Sequence, residues 1–470
     1  MVNRLSPEDA AFYYRDEQGS TTHLGSLLMI EPGEQRLRYE RLLASVESRL
    51  ALVPRYRRRI REVTLGLGRP VWVDDQDFDI TYHVRRSALP EPGTDDQLND
   101  LVARLMSRPL DRHRPLWEMY LVEGLAGNRM ALLTKTHRAL VDGRAALEIN
   151  QVILDDDATA ETMPEDLWLP ARAPSGAELV VGALTEAVTR PWELLDTARA
   201  VSAPVTALGS VVTGSIRRIG SMLQLADGAP DSPLNGSTSG SRRFTTASVP
   251  AQRCARIARE FDCAVNDVVL AVIAGALRRW LLARDVALDS DATVRAMIPL
   301  SAFPDDGRFD ELTSDAEWMA EGLRGFVTDL PVGEPNPTVR LSQVAHLTER
   351  HAHSTRRVSM GARSWLPEVG PATFHAMSSR AAATMSGRSF NLPVSIARGP
   401  GAAQYLAGHR ISAIYPVPTL VPNRALAVGL TSYDSAVCFA FNGDRDIMWD
   451  LGAMPEFLAE SFDELLDRLP

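Results

Sequence analysis

"KTHRALVDGRAAL", residues 135–147, is the stretch on which the fold reading turns. The segment leading into it, "RMALLTKTH" (129–137), is an apolar and β-branched run that reads as a buried strand. The segment leading out, "RAALEINQVILDD" (144–156), reads as a helix. Between them Asp142 is placed to fix a loop, and Gly143 beside it permits a tight turn and close backbone approach. A strand, a loop and a helix therefore gather His137, Arg138, Asp142 and Gly143 at one corner.

Outward from this corner the chain reads as α/β (α+β). Residues 1–165 form a first region. It has a strand in "THLGSLLMIEP" (22–32) and helices in "RYERLLASVESRLALV" (38–53) and "DQLNDLVARLMSRPL" (96–110). Leu42, Leu43, Val46, Leu50 and Val53 make the apolar stripe of the first helix, and Pro109 ends the second. Residues 166–245 are rich in Pro, Gly, Ser and Ala and read as a helical and looped connector. Residues 246–470 return to α/β structure. They hold two helices over 250–284, a strand in "TVRAMIPLS" (293–301), a helix over 330–350, a hairpin over 425–444 and a closing amphipathic helix.

The chain of 470 residues is long enough for two or more cores. Its formal net charge of −10 argues against a partner built of nucleic-acid phosphates. Three cysteines, Cys254, Cys263 and Cys438, make no CxxC pair and fit buried thiols in a reducing cytosol. The N-terminus lacks the apolar core of a signal peptide, and the longest apolar run, "VVLAVIAGAL" (268–277), is about half of what a bilayer needs. The expectation is a soluble cytoplasmic protein, at most attached to a membrane surface.

A strand–loop–helix corner of this kind resembles the signature of CoA-dependent acyltransferases. An alcohol attacking a thioester must lose its proton, and a neutral imidazole accepts it best because its pKa lies near working pH. The wider sequence carries the resemblance. "RLSPEDAAFYY" (4–14), "VPRYRRRI" (53–60) and "RPLDRHRPLWEMYLVEGL" (108–125) are followed in order by "SPLNG" (232–236), "VNDVVLAVIAGALRRWL" (265–281), "RAMIPLS" (295–301), "YLAGHRISAIYPVPTL" (405–420) and "SYDSAVCFAF" (432–441). Across essentially its whole length the chain resembles the bacterial wax ester synthase/diacylglycerol acyltransferase family. The resemblance implies two chloramphenicol-acetyltransferase-like domains joined by a crossover connector, with a tunnel between them. It also implies transfer of a fatty acyl group from acyl-CoA, as co-substrate and not as a resident cofactor, to diacylglycerol or a long-chain alcohol. Peripheral contact with a membrane or a lipid droplet goes with such substrates.

This chain departs from the family's His-His-x-x-x-Asp-Gly motif at the second histidine, which the resemblance makes the proton acceptor. Arg138 stands there. A guanidinium has no acceptor nitrogen and stays protonated at any working pH. Its presence removes a contribution of about 10²–10⁴-fold. His137 is a substitute base only if a bulge turns it, since neighbouring side chains on an extended segment point to opposite faces. Arg138 either pairs with Asp142 or offers its charge to an anionic ligand. Further departures fall at "SIARGP" (395–400), "VPNRALAVGL" (421–430) and "GLRGFVTDLPVG" (322–333). Two readings therefore stand: a weak O-acyltransferase, and a non-catalytic relative that binds acyl-CoA or lipid.

Other candidates carry ordinary structural readings beside functional ones. Asn266 and Asp267 resemble a family pair in substrate binding and also suit a helix N-terminus. Trp117 reads as packing or as lining for an acyl channel. "PRYRRRIR" (54–61) reads as a solvated helix face or as a site for CoA phosphates or anionic lipid. Ile216, Ile219, Met222 and Leu223 suit a surface-seeking helix and equally a helix packed on the protein. "HAH" (351–353) lacks a third metal ligand, and no Gly-x-Ser-x-Gly elbow or phosphate-binding Gly-Lys loop is present.

Overall fold

A computed structural model of the protein describes residues 3–5, 9–10, 13–14, 23–33, 35–63, 68–141, 149–159, 168–189, 228–298, 326–356 and 389–469. The chain divides into two compact units. One comprises Met1–Leu98, Leu105–Ser210 and Ala403–Ser412; the other comprises Asn99–Arg104, Val211–Ala402 and Ala413–Pro470.

A seven-stranded mixed sheet forms the first unit. Its strands lie in the order Val84–Ala88, Trp117–Glu123, Met130–His137, His23–Ile30, His409–Val417, Tyr405–Leu406, Leu154–Asp155. His23–Ile30 and Met130–His137 are buried at every residue, as expected of central strands covered on both faces. They pair antiparallel with His23 opposite His137. Burial extends to Lys135, whose Nζ donates to Leu105 O at 2.9 Å and also to Arg108 O. Leu105 lies in the last turn of the helix Asp95–Met106 and Arg108 just beyond it, so the ammonium satisfies an acceptor that the helix end leaves open. Contiguous domains drawn along the sequence do not anticipate the late return of residues 403–412 to this sheet.

The helix Tyr39–Arg49 buries Leu42 and Val46 and then tightens into a 3-10 turn at Leu50–Leu52. Val53 leaves the helical region because Pro54 follows it. The arginine run at 54–61 is not a helix face. Pro54–Arg57 is a turn, and Arg58–Arg61 is a strand paired with Val71–Asp74. Local partners hold its cations: Arg58 meets Asp74 at 2.9 Å, Arg59 meets Asp75 at 3.8 Å, and Arg61 donates to Pro174 O at 2.7 Å. Arg57 lies 5.1 Å from the centre of the Trp168 ring. These contacts weaken the reading of the run as a phosphate or lipid site. Of the helix expected over 144–156, the described part is Ile149–Ile153, and Leu154–Asp155 leaves it to pair with Tyr405–Leu406.

The second unit is built on a six-stranded sheet ordered Phe326–Leu330, Val294–Ile298, Leu392–Arg398, Leu426–Tyr433, Ala436–Asp444, Arg242–Pro250. The expected hairpin is the antiparallel pair Leu426–Tyr433 and Ala436–Asp444. Helix Val265–Ala283 runs through the core, with residues 268–277 all buried. The long apolar run is therefore a core element, and no described helix is long and apolar enough to cross a membrane. Cys254 and Cys438 are buried and unbridged, and burial pushes their thiols up to about 12 and about 11, which leaves them unreactive. The amphipathic segment proposed at 216–223 lies outside the described residues.

Close packing of this helix on the closing helix Met454–Leu466 sets a limit at Gly275. A Cβ there would sit 2.7 Å from Ser461 Oγ and 2.8 Å from Arg340 Nη2. Gly275→Ala should therefore cost about 1–3 kcal/mol through overpacking, despite the better helix propensity of Ala. Urea unfolding monitored through Trp280 should show the lower midpoint.

Candidate functional site

Strand Met130–His137 delivers the corner, and helix Arg138–Val141 begins at once after it. His137 is 1% exposed. Its Nδ1 accepts the Ala139 N–H at 3.1 Å, so the imidazole stands where an N-cap side chain stands. With that lone pair engaged, the neutral ring carries its proton on Nε2, and no bare nitrogen is left to accept one from an alcohol. The ring makes edge contacts with His23 at 6.1 Å and Tyr13 at 6.4 Å. Arg138 is buried at 3% exposure. Asp142 and Gly143 lie outside the described residues, so the pairing of Arg138 with Asp142 is left as sequence reading.

The corner is held from the strand beside it. The His137 N–H donates to Leu116 O at 2.8 Å. The next residue, Trp117, is 1% exposed; its Nε1 donates to Tyr56 O at 2.8 Å, and its carbonyl accepts from His83 Nδ1 at 2.8 Å. Its ring is stacked on His83 at 4.6 Å and meets Tyr56 edge-on at 5.6 Å. One face and the polar atom of the indole are thus engaged by protein, which favours the packing reading of Trp117 over the channel-lining one. Tyr56 Oη accepts the Ile149 N–H at 3.2 Å, at the start of the next described helix. Sequence reading missed Tyr56 and His83. Tyr56 is hidden in the arginine run, and a single histidine in "ITYHVRR" carries no spacing signal.

His83 is fully buried between Phe78, stacked at 5.3 Å, and Trp117. Burial lowers its pKa to about 4; the carbonyl of Trp117 opposes the shift, and Arg114 and Arg85 add to it. Its Nδ1–H serves Trp117, and among the described residues Nε2 has no hydrogen-bond partner.

The candidate pair in the second unit sits at the start of helix Val265–Ala283. Asp267 uses both oxygens: Oδ2 accepts the Ala264 N–H at 2.9 Å, and Oδ1 accepts from Thr348 Oγ1 at 2.6 Å. That closes the helix start and ties it to helix Pro337–Arg356. Asn266 is 7% exposed, and its Oδ1 has no hydrogen-bond partner among the described residues. Among the described residues no group of three His, Cys, Asp or Glu side chains suits a metal ion; the His351 and His353 side chains lie outside them.

Two mixed-sheet units of this kind define a two-domain, chloramphenicol-acetyltransferase-like α/β protein. A model of the wax ester synthase/diacylglycerol acyltransferase catalytic domain matches residues 5–269, and a model of the WS/DGAT C-terminal domain matches 323–466. The probable diacylglycerol O-acyltransferase tgs3 of Mycobacterium tuberculosis is 47% identical over 265 residues, which cover 56% of this chain and 98% of that protein. The probable diacylglycerol O-acyltransferase tgs1 of the same organism is 30% identical over 485 residues, covering 100% and 96%. The solved wax ester synthase/diacylglycerol acyltransferase of Marinobacter aquaeolei VT8 superposes with a TM-score of 0.68 at 25% identity, over 98% of each chain. The chain belongs to the wax ester synthase/diacylglycerol acyltransferase family.

The buried His83 gives the fold a pH signature. Its folded pKa is below the unfolded value, so the unfolded chain takes up a proton that the folded chain refuses. Stability is fully present above about pH 6.5 and should fall as pH drops toward 4, by about 3 kcal/mol for a group held near pKa 4. Denaturant titrations between pH 7.5 and 4.5 should show this slope, and His83→Asn should flatten it.

Proposed function

We propose that this protein acts on the substrates of its family, taking a fatty acyl group from acyl-CoA and offering it to the hydroxyl of diacylglycerol or a long-chain alcohol, as a weak O-acyltransferase. The observation that carries the qualification is Arg138 at the place of the family's proton acceptor, beside a His137 whose Nδ1 is occupied by Ala139. Attack of the hydroxyl on the thioester carbonyl forms the ester bond, breaks the carbon–sulfur bond and releases CoA thiol. The hydroxyl proton must go to some acceptor, and neither side chain of the His137–Arg138 pair presents one. Turnover then rests on binding and orientation, with water as the proton acceptor. Asn266 is the residue of the second unit we assign to ligand contact, since its Oδ1 keeps an acceptor to offer. Substrates of this class place the protein in the cytoplasm, in peripheral contact with a membrane or lipid droplet.

The engaged His137 favours a second reading, in which the protein binds acyl-CoA or lipid without turnover and acts by sequestration or regulation.

Thiol release from palmitoyl-CoA, with diacylglycerol or hexadecanol as acceptor, decides between them. The parent protein should turn over slowly, and Arg138→His should raise the rate by about 10²–10⁴-fold. Binding of palmitoyl-CoA without thiol release in either protein selects the second reading. His137→Ala should lower the parent rate by less than the about 10²–10⁴-fold that loss of a general base costs, because an engaged ring contributes no proton transfer.

A further inference from the structure

We infer that Tyr56 and His83 are positioning residues for the reactive corner, acting through the Leu116–Trp117 dipeptide. The inference rests on the acyl-transfer reading of that corner and deepens it. Three polar contacts converge on two consecutive residues. His83 Nδ1 donates to Trp117 O at 2.8 Å, Trp117 Nε1 donates to Tyr56 O at 2.8 Å, and Leu116 O receives the His137 N–H at 2.8 Å. The first holds the Trp117–Glu118 peptide and the second holds the Trp117 side chain, so together they fix Trp117, whose nitrogen closes the peptide that carries Leu116 O, and the third bond passes that position to the residue before Arg138.

Tyr56 adds a second point of control. Its hydroxyl accepts the Ile149 N–H at 3.2 Å, so one buried side chain meets both the Trp117 anchor and the helix Ile149–Ile153. Tyr56, His83 and Trp117 are each no more than 1% exposed, and their influence on the corner passes through the bonds to Trp117 and Leu116. A geometric error of about 1 Å at a reacting group costs on the order of a hundredfold in rate. That makes such a clamp matter to rate far more than to binding.

The test uses the full chain in two backgrounds, the parent and Arg138→His, each with Tyr56→Phe, His83→Leu or His83→Asn. Asn carries an amide N–H near the position of Nδ1, so it keeps the donor while losing the ring. Amide hydrogen exchange is followed in peptides covering 136–139 and 149–153, with peptides from 24–30 and 118–123 as internal controls. His83→Leu should speed exchange at His137 and Tyr56→Phe at Ile149, each by about tenfold, the factor carried by one lost buried hydrogen bond. His83→Asn should restore the parent value at His137. Where thiol release is measurable, Tyr56→Phe and His83→Leu should lower kcat by about tenfold or more. KM for palmitoyl-CoA should stay within about twofold. Unchanged exchange at both sites overturns the proposal, as does equal acceleration in the control peptides, which would mark a general loss of stability. Should His83→Leu not fold, Trp117→Phe, which removes the Nε1 donor to Tyr56 O, decides at His137, where unchanged exchange overturns the proposal. Absence of thiol release in both backgrounds sinks the acyltransferase reading, and the exchange data still decide the clamp.

Discussion

The hydrogen bond from the His137 N–H to Leu116 O is the contact on which the reactive corner depends. A strand that ends inside a protein must satisfy its last backbone groups without water, because an unpaired buried N–H costs about as much as a lost hydrogen bond. Leu116 supplies the acceptor, and Trp117 holds Leu116 in place through four aromatic and polar contacts with Tyr56 and His83. The direction in which Arg138 leaves the sheet follows from that arrangement. The motif is thus less a string of reactive side chains than a backbone corner fixed by its neighbours.

Within this frame the exchange of an imidazole for a guanidinium changes the chemistry without disturbing the fold. The strand, the cap and the short helix form as the local sequence directs, with His137 serving as the cap. Among the described residues of the corner, His137 has its Nδ1 lone pair engaged by Ala139 and Arg138 has no acceptor nitrogen. A buried cation there favours negative charge, in ligand or in protein. Membership in the acyltransferase family and a deficient proton acceptor are therefore compatible statements, one about ancestry of the scaffold and one about a single side chain.

Much of the architecture was legible because periodicity reports burial. The runs "THLGSLLMIEP" and "RMALLTKTH" are strands buried on both faces, and "VVLAVIAGAL" is a core helix. The arginine run 54–61 misled because charge was read as exposure. Pairing of Arg58–Arg61 with Val71–Asp74 set the backbone, and nearby carboxylates and carbonyls took the cations. Propensity is a weak prior where a neighbouring strand competes for the same backbone. Asp267 was legible as a helix-start residue, while its link to Thr348 was not, since 81 residues separate them.

By itself the amino-acid sequence determined the family, the two central strands of the first sheet, the core helix, and the presence of an arginine at position 138. These are properties of residue identity and local spacing, and no partner is needed to state them. Only the tertiary structure decided that His137 spends its lone pair on Ala139, that Trp117 is an anchor, that His83 is buried and held neutral, and that residues 403–412 return to the first sheet. All but the first depend on groups distant in sequence being brought together, the first depends on the local backbone and rotamer, and all depend on the removal of water that makes such bonds count.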